Sequence, residues 1–199
     1  MKEKINYNNI ILASTSVRRI EILKNIGLLF KTEKSSYEED MTLDMSAIDL
    51  VEYLALGKAQ EVSNRFSSDL VIGADTFIMY EGKKLGKPKS EAEVYEVLEK
   101  LSGKKIEIIS GVAILHQDTN YQDIFHEVTT IYMRHFGNDF IDMYIKTGIP
   151  YERAGGFGVQ DIGGRIIQKI KGDYNNILGL PLYNLLDRLY EINPSLVIS

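Results

Sequence analysis

The chain has 199 residues, 44% hydrophobic and 26% charged, with a formal net charge of -5 and no cysteine. That composition belongs to a folded domain with a substantial core and excludes disulfides, cysteine-ligated zinc, iron–sulfur clusters and cysteine nucleophiles. The acidic balance argues against broad nucleic-acid binding but leaves room for a local basic pocket. No segment approaches the roughly 20 apolar residues of a membrane helix. Met1 to Ile11 lacks the apolar core of a signal peptide. A cytoplasmic protein with neither nucleic-acid nor membrane partners is the expectation.

Ile10 to Ala13 reads as a short buried strand. Ser14 or Ser16 can then cap a helix over Val17 to Ile26, closed by Gly27. A second strand is expected over Leu28 to Thr32, followed by the acidic loop Glu38-Glu39-Asp40. Ser46 and Asp49 form a capping box for a helix reaching about Asn64, with Leu50, Tyr53, Leu54 and Val62 as candidates for burial. Leu70 to Gly73 is a buried-strand pattern that ends at Ala74-Asp75-Thr76. Phe77 to Tyr80 and Lys83 to Leu85 flank Glu81-Gly82 as a hairpin.

Ser90 and Glu93 box a further helix that ends near Leu101. Two long strands follow, Ile106 to Leu115 and Tyr121 to Met133, joined by a turn over Gln117 to Asn120. Asn138 can cap a helix over Asp139 to Lys146, stopped by Gly148 and Pro150. Arg165 to Ile170 is another strand candidate, and Pro181 suits the first position of a final helix over Leu182 to Glu191. Strands mixed with helices, by both hairpins and crossovers, predict an α/β or α+β fold on a mixed sheet. A single domain over 1–199 is expected, with residues 76–135 contributing a second lobe.

The chemistry-bearing residues are scattered. Arg18 and Arg19 fall in the first turn of the first helix, where they oppose its dipole. Phosphate binding at the helix N-terminus is one reason for them, and chance is another. Asp75 sits just past a strand end, where ligands of α/β proteins gather. There it can bind Mg²⁺ or Mn²⁺, deprotonate a water, or remain a solvated or capping acid. Lys58 and Lys87 have the surface as their ordinary place, although Lys87 is held between Gly86 and Pro88. Gly155-Gly156-Phe157-Gly158 matches neither the dinucleotide fingerprint nor a P-loop. It reads as tight turns or, with Arg153 and Gln160 beside it, as a ligand-facing loop.

Taken in order, Ser14-Thr15-Ser16-Val17-Arg18-Arg19, Gly73-Ala74-Asp75-Thr76, Gly86-Lys87-Pro88, the Ala154 to Gln160 segment and Asn176 to Leu182 resemble the Maf family of nucleotide pyrophosphatases. The resemblance runs from Ile11 to about Leu189. It implies an elongated mixed β-sheet flanked by helices, related to inosine triphosphatases, with a central cleft between two lobes and frequent homodimers. The implied substrate is a nucleoside triphosphate, gripped by Ser14, Arg18, Arg19, Lys58 and Lys87, with Thr76 and Arg153 also in contact. Glu39 and Asp75 map to the family's acidic pair and metal ligands, for Mg²⁺ or Mn²⁺. Lys87 and Gln160 join them as catalytic residues, Gln160 orienting water or phosphate.

The Ala-Asp-Thr form resembles the branch that hydrolyses dTTP and UTP. The alternatives are a pyrophosphatase for modified or purine nucleotides and a nucleotide-binding regulator of cell division. Several positions depart from the usual pattern: Val17 for proline, Ile149 for a frequent glutamate, Arg153 for a common lysine, Gly156-Phe157 for Ala-Tyr, and Asp161 for glycine.

Overall fold

The structure, a computed structural model, describes residues 5–198. Its frame is a seven-stranded mixed sheet of β1 (Ile10–Leu12), β2 (Lys31–Thr32), β3 (Leu70–Tyr80), β4 (Lys83–Lys84), β5 (Lys105–His116), β6 (Tyr121–Met133) and β7 (Ile167–Lys171). The strand order is β2-β1-β3-β5-β6-β7, with β4 paired to β3. Strand β1 runs parallel to β2 and β3, whereas β4 and β7 run antiparallel to β3 and β6. The helices are α1 (Val17–Asn25), α2 (Ala47–Arg65), α3 (Glu91–Leu101), α4 (Asn138–Ile145), α5 (Tyr174–Ile177) and α6 (Leu182–Ile192). The expected α/β class is therefore the observed one. Among the described residues no helix is long and apolar enough to cross a membrane.

The chain divides into two compact units. The first comprises Met1–Thr76, Ser110–Glu127 and Leu178–Ser199, and the second Phe77–Ile109 and Val128–Ile177. The distal part of the β5–β6 hairpin thus belongs to the first unit, and residues 136–177 to the second.

In the first unit, α2 lays Ala55, Ala59 and Val62 on Ile11, Val71, Ala113 and Leu115. Small side chains on the helix are matched by glycines on the strands. A Cβ at Gly73 would collide with the Ala55 carbonyl and the Ala59 nitrogen, and one at Gly111 with the Val51 carbonyl. Helix and sheet backbones therefore meet almost directly. The second unit packs Val94, Leu98 and Leu101 of α3 and Ile141 and Tyr144 of α4 against Ile106, Ile108, Ile131 and Met133.

Both capping boxes form as expected: Ser46 Oγ accepts from Asp49 N–H, and Ser90 Oγ from Glu93 N–H. Other expectations are corrected. Strand β3 does not stop at Gly73 but runs through Asp75 to Tyr80, because Asp75 finds an ion-pair partner and is buried in the strand. The second strand shrinks to Lys31–Thr32, with Leu29 88% exposed. Tyr53 lies on the outer side of α2, 43% exposed. Gly137 occupies the cap position expected for Asn138, and Pro181 precedes α6 as its cap and not as its first residue. The last strand begins at Ile167, after a 3₁₀ turn over Ile162–Ile166.

Adding a methyl at Gly73 forces backbone apart from backbone, which no rotamer change can relieve. Gly73→Ala should lower unfolding stability by about 2–3 kcal/mol, the upper range of overpacking costs, read as a lower urea midpoint at unchanged slope.

Candidate active site

Asp75 is the centre of the first unit's polar cluster. It lies in β3, a strand otherwise filled with apolar residues, and is 9% exposed. Lys58, three turns into α2, reaches it with an Nζ–Oδ1 distance of 2.6 Å. The same ammonium contacts Glu39 Oε1 at 2.9 Å. Lys58 is thus a bridge between two carboxylates, one buried and one 42% exposed. Burying a carboxylate is costly unless it is paired, and Lys58 is the partner that Asp75 finds in the strand. The second oxygen, Asp75 Oδ2, is buried and accepts no hydrogen bond within the protein. Buried polar atoms are nearly always satisfied. This one is an exception.

Arg19 contacts the two residues that flank Asp75 in the strand. Its Nε donates to the Gly179 carbonyl at 2.7 Å, and its terminal nitrogens donate to the Ala74 carbonyl at 2.9 Å, to Thr76 Oγ1 at 3.2 Å and to Ser14 Oγ at 3.4 Å. A guanidinium has five N–H donors in a rigid fork, and most of them are spent on these four acceptors. Burial lowers the pKa of Arg19, while the charges of Asp75 and Glu39 raise it. Arginine stays protonated under any such balance. Arg19 therefore holds the loop before α1, strand β3 and the segment before α6 to one another. Thr76 serves the same junction: its hydroxyl lies 2.8 Å from Ser110 Oγ and donates to the Gly179 carbonyl at 3.2 Å. Gly179 has φ +105°, a backbone region open mainly to glycine.

Arg18 lies half-buried in the first turn of α1. Ser16 holds the cap position, but its side chain makes no capping hydrogen bond, and no acid sits in the first turn. Ser14 Oγ accepts instead from Ser16 N–H at 3.2 Å. The end of α1 thus keeps its attraction for an anion.

The structure brings Ser14, Arg19, Glu39, Lys58, Asp75 and Thr76 into this cluster. Lys87, Arg153 and Gln160 belong to the second unit. Lys87 is exposed, 3.8 Å from Glu152. Gln160 is exposed as well. Arg153 Nε donates to Asp161 Oδ2 at 3.2 Å, while Asp161 Oδ1 accepts from Tyr144 Oη and Gly163 N–H, each at 2.8 Å. Asp161 is the knot of this loop. Burial raises the Tyr144 pKa, and the Asp161 hydrogen bond and charge raise it further, so the phenol remains a donor. Gly155 and Gly156 have φ of +66° and +72° and make tight turns.

A family model described as Maf-like protein matches residues 9–192. The chain belongs to the Maf family. A relative from Alkaliphilus oremlandii, named dTTP/UTP pyrophosphatase, is 40% identical over 88% of this chain and 91% of its own. Another of that name, from Bacillus cereus, is 41% identical over 96% of this chain and 94% of its own. A solved structure, the Staphylococcus aureus Ham1 protein, aligns at a TM-score of 0.44 and 16% identity over 63% of this chain and 72% of that one.

Membership of the Maf family raises the question of a divalent cation. Among the described residues no group of three or more His, Asp or Glu converges as a cage. A magnesium-like ion does not need one: it takes one or two carboxylates and fills its shell with water and substrate phosphate. Glu39 and Asp75, with Oδ2 unsatisfied, fit that donor set.

The sequence offered no sign of the Gly179 and Ala74 carbonyls as anchors, since a backbone acceptor carries no side-chain signature. Ser110 was equally silent inside an apolar strand. Arg19→Lys removes the fork and strands several buried acceptors. It should cost about 2–3 kcal/mol of stability, the range for lost hydrogen bonds to charged groups, measured by urea unfolding.

Proposed function

We propose that this chain hydrolyses pyrimidine nucleoside triphosphates, dTTP and UTP, to the monophosphate and pyrophosphate. The observation that carries the chemistry is the buried Asp75 carboxylate, fixed by Lys58 through one oxygen and unsatisfied at the other. The base preference rests on the relatives named dTTP/UTP pyrophosphatase and on the Ala74-Asp75-Thr76 sequence.

In the reaction a water oxygen bonds to the α-phosphorus while the bond from that phosphorus to the α,β-bridging oxygen breaks. Pyrophosphate leaves with the electron pair. Asp75 Oδ2 accepts the water's proton as general base, and Lys58 fixes the carboxylate through Oδ1. The substrate carries about four negative charges, so preorganised cations are the main requirement. Arg18 and the amino end of α1 attract the phosphates, and Lys87 adds a mobile point charge. Arg19 acts from behind, holding the carbonyl of residue 74 and with it the strand that carries Asp75. Gln160 orients water or phosphate. Arg153 keeps its Nε on Asp161, which leaves its terminal nitrogens as the part offered to a phosphate. Mg²⁺ or Mn²⁺, held by Asp75 and Glu39, would polarise the α-phosphate and lower the pKa of the attacking water.

The test is a panel of dTTP, UTP, CTP, ITP and methylated GTP, read by pyrophosphate release, with Asp75→Asn alongside. Selective cleavage of dTTP and UTP is expected. Asp75→Asn should lose at least ~100-fold in turnover with its folded circular dichroism intact. Near-wild-type turnover by this variant would remove Asp75 from the mechanism, and preference for a purine triphosphate would move the substrate assignment.

A further inference from the structure

The acidic loop that carries Glu39 does not hang free; it runs along α2 in the opposite direction to the helix. Arg65, in the last turn, donates to the Lys34 carbonyl at 2.9 Å and lies 3.6 Å from Glu33 Oε2. One turn back, Glu61 Oε2 accepts from Ser36 N–H at 3.0 Å. Another turn back, the Tyr37 ring lies so close over Gly57 that a Cβ there would enter the ring. Next to Gly57, Lys58 takes Glu39. Helix positions 65, 61 and 57–58 recur once per turn and share one face. Each takes a later pair of loop residues as the loop proceeds. Arg65 Nε also donates to Glu61 Oε1 at 3.0 Å, so the two rungs brace each other.

We propose that Glu61 and Arg65 are positioning residues for hydrolysis: they strap residues 33–37 to α2 and thereby deliver Glu39 to Lys58 and Asp75. The proposal rests on the reading of Glu39 and Asp75 as the hydrolytic pair. Glu61 and Arg65 contact the loop at residues 33–36, so their effect on Glu39 passes through the loop. Burial pushes the Glu61 carboxyl pKa up, and the hydrogen bonds from Ser36, Arg65 and Ser35 more than reverse this, leaving it below its ordinary value. It is held as the charged acceptor that the loop amide needs. Tyr37 is not a competing base. Burial, the hydrogen bond with Tyr53 and the nearby acids push its hydroxyl up to about 12, so it acts as a packed ring.

Two variants of the full-length protein test this. Glu61→Gln weakens the amide rung. Gly57→Ala displaces the Tyr37 ring while favouring the helix, since alanine is the better helix former, so a loosened loop cannot then be blamed on a failing α2. Lys100→Ala, which breaks the comparable Lys100–Glu96 pair on α3, is the control. Amide hydrogen exchange should quicken by about 5-fold or more over residues 34–40 in both variants, with β1 and β3 unchanged. The Mg²⁺ concentration for half-maximal dTTP hydrolysis should rise by about 2- to 5-fold, with turnover at saturating Mg²⁺ within about 2-fold of wild type, the size expected from partly exposed ion pairs. Arg65→Lys, which keeps the charge, should fall between wild type and Glu61→Gln.

Unchanged exchange over 34–40 overturns the strap. Faster exchange with an unchanged Mg²⁺ requirement overturns its role in delivering Glu39. A wild-type protein that cleaves no triphosphate defeats the hydrolytic reading instead, and the strap then stands or falls on the exchange data.

Discussion

Helix α2 can approach the sheet as it does only because residues 73 and 111 are glycine. The consequence for chemistry is direct. Ala55 and Ala59 settle onto the strands, and Lys58, between them in the helix, points its ammonium at Asp75 over 2.6 Å. A buried carboxylate in mid-strand would otherwise be among the more costly features a sheet can hold. Pairing makes it tolerable, although the second oxygen has no hydrogen-bond partner within the protein. Packing of small residues and electrostatics of the site are here the same constraint.

Two segments distant in sequence are tied to that strand by one guanidinium. Arg19 spans from the loop before α1 to residues 74, 76 and 179. The Gly179 carbonyl and the Ser110 hydroxyl reinforce it through Thr76. Arg19 is committed to holding the frame, while the first turn of α1 carries no acid and no side-chain cap. Glu39 is supplied differently, by a surface loop strapped to α2, and is correspondingly more exposed than Asp75.

Local signals were legible in the sequence. The Ser46–Asp49 and Ser90–Glu93 boxes define their helix starts within a few residues, and the order of short motifs suffices for the family. Long-range signals were not. Asp75 interrupts an apolar run, so the strand reads as ending there; only Lys58, 17 residues away, shows why it continues. Arg19 reads as a phosphate ligand, and nothing in the sequence hints at its partners within the protein, two carbonyls and two hydroxyls up to 160 residues away. Tyr53 fits an apolar stripe by spacing but falls on the exposed side of α2. Arg153 reads as part of a ligand-facing loop, and its hold on Asp161, a departure from the usual glycine, is not visible in the sequence.

The roles proposed for Asp75 and Lys58 depend on water attacking the α-phosphorus. Hydrolysis of dTTP in ¹⁸O-labelled water, with both products weighed by mass spectrometry, tests it most directly. One ¹⁸O per turnover should appear in the thymidine monophosphate and none in the pyrophosphate. Label in the pyrophosphate, or release of orthophosphate in its place, would mean that the water is aimed at a different phosphorus and that this account of the site is wrong.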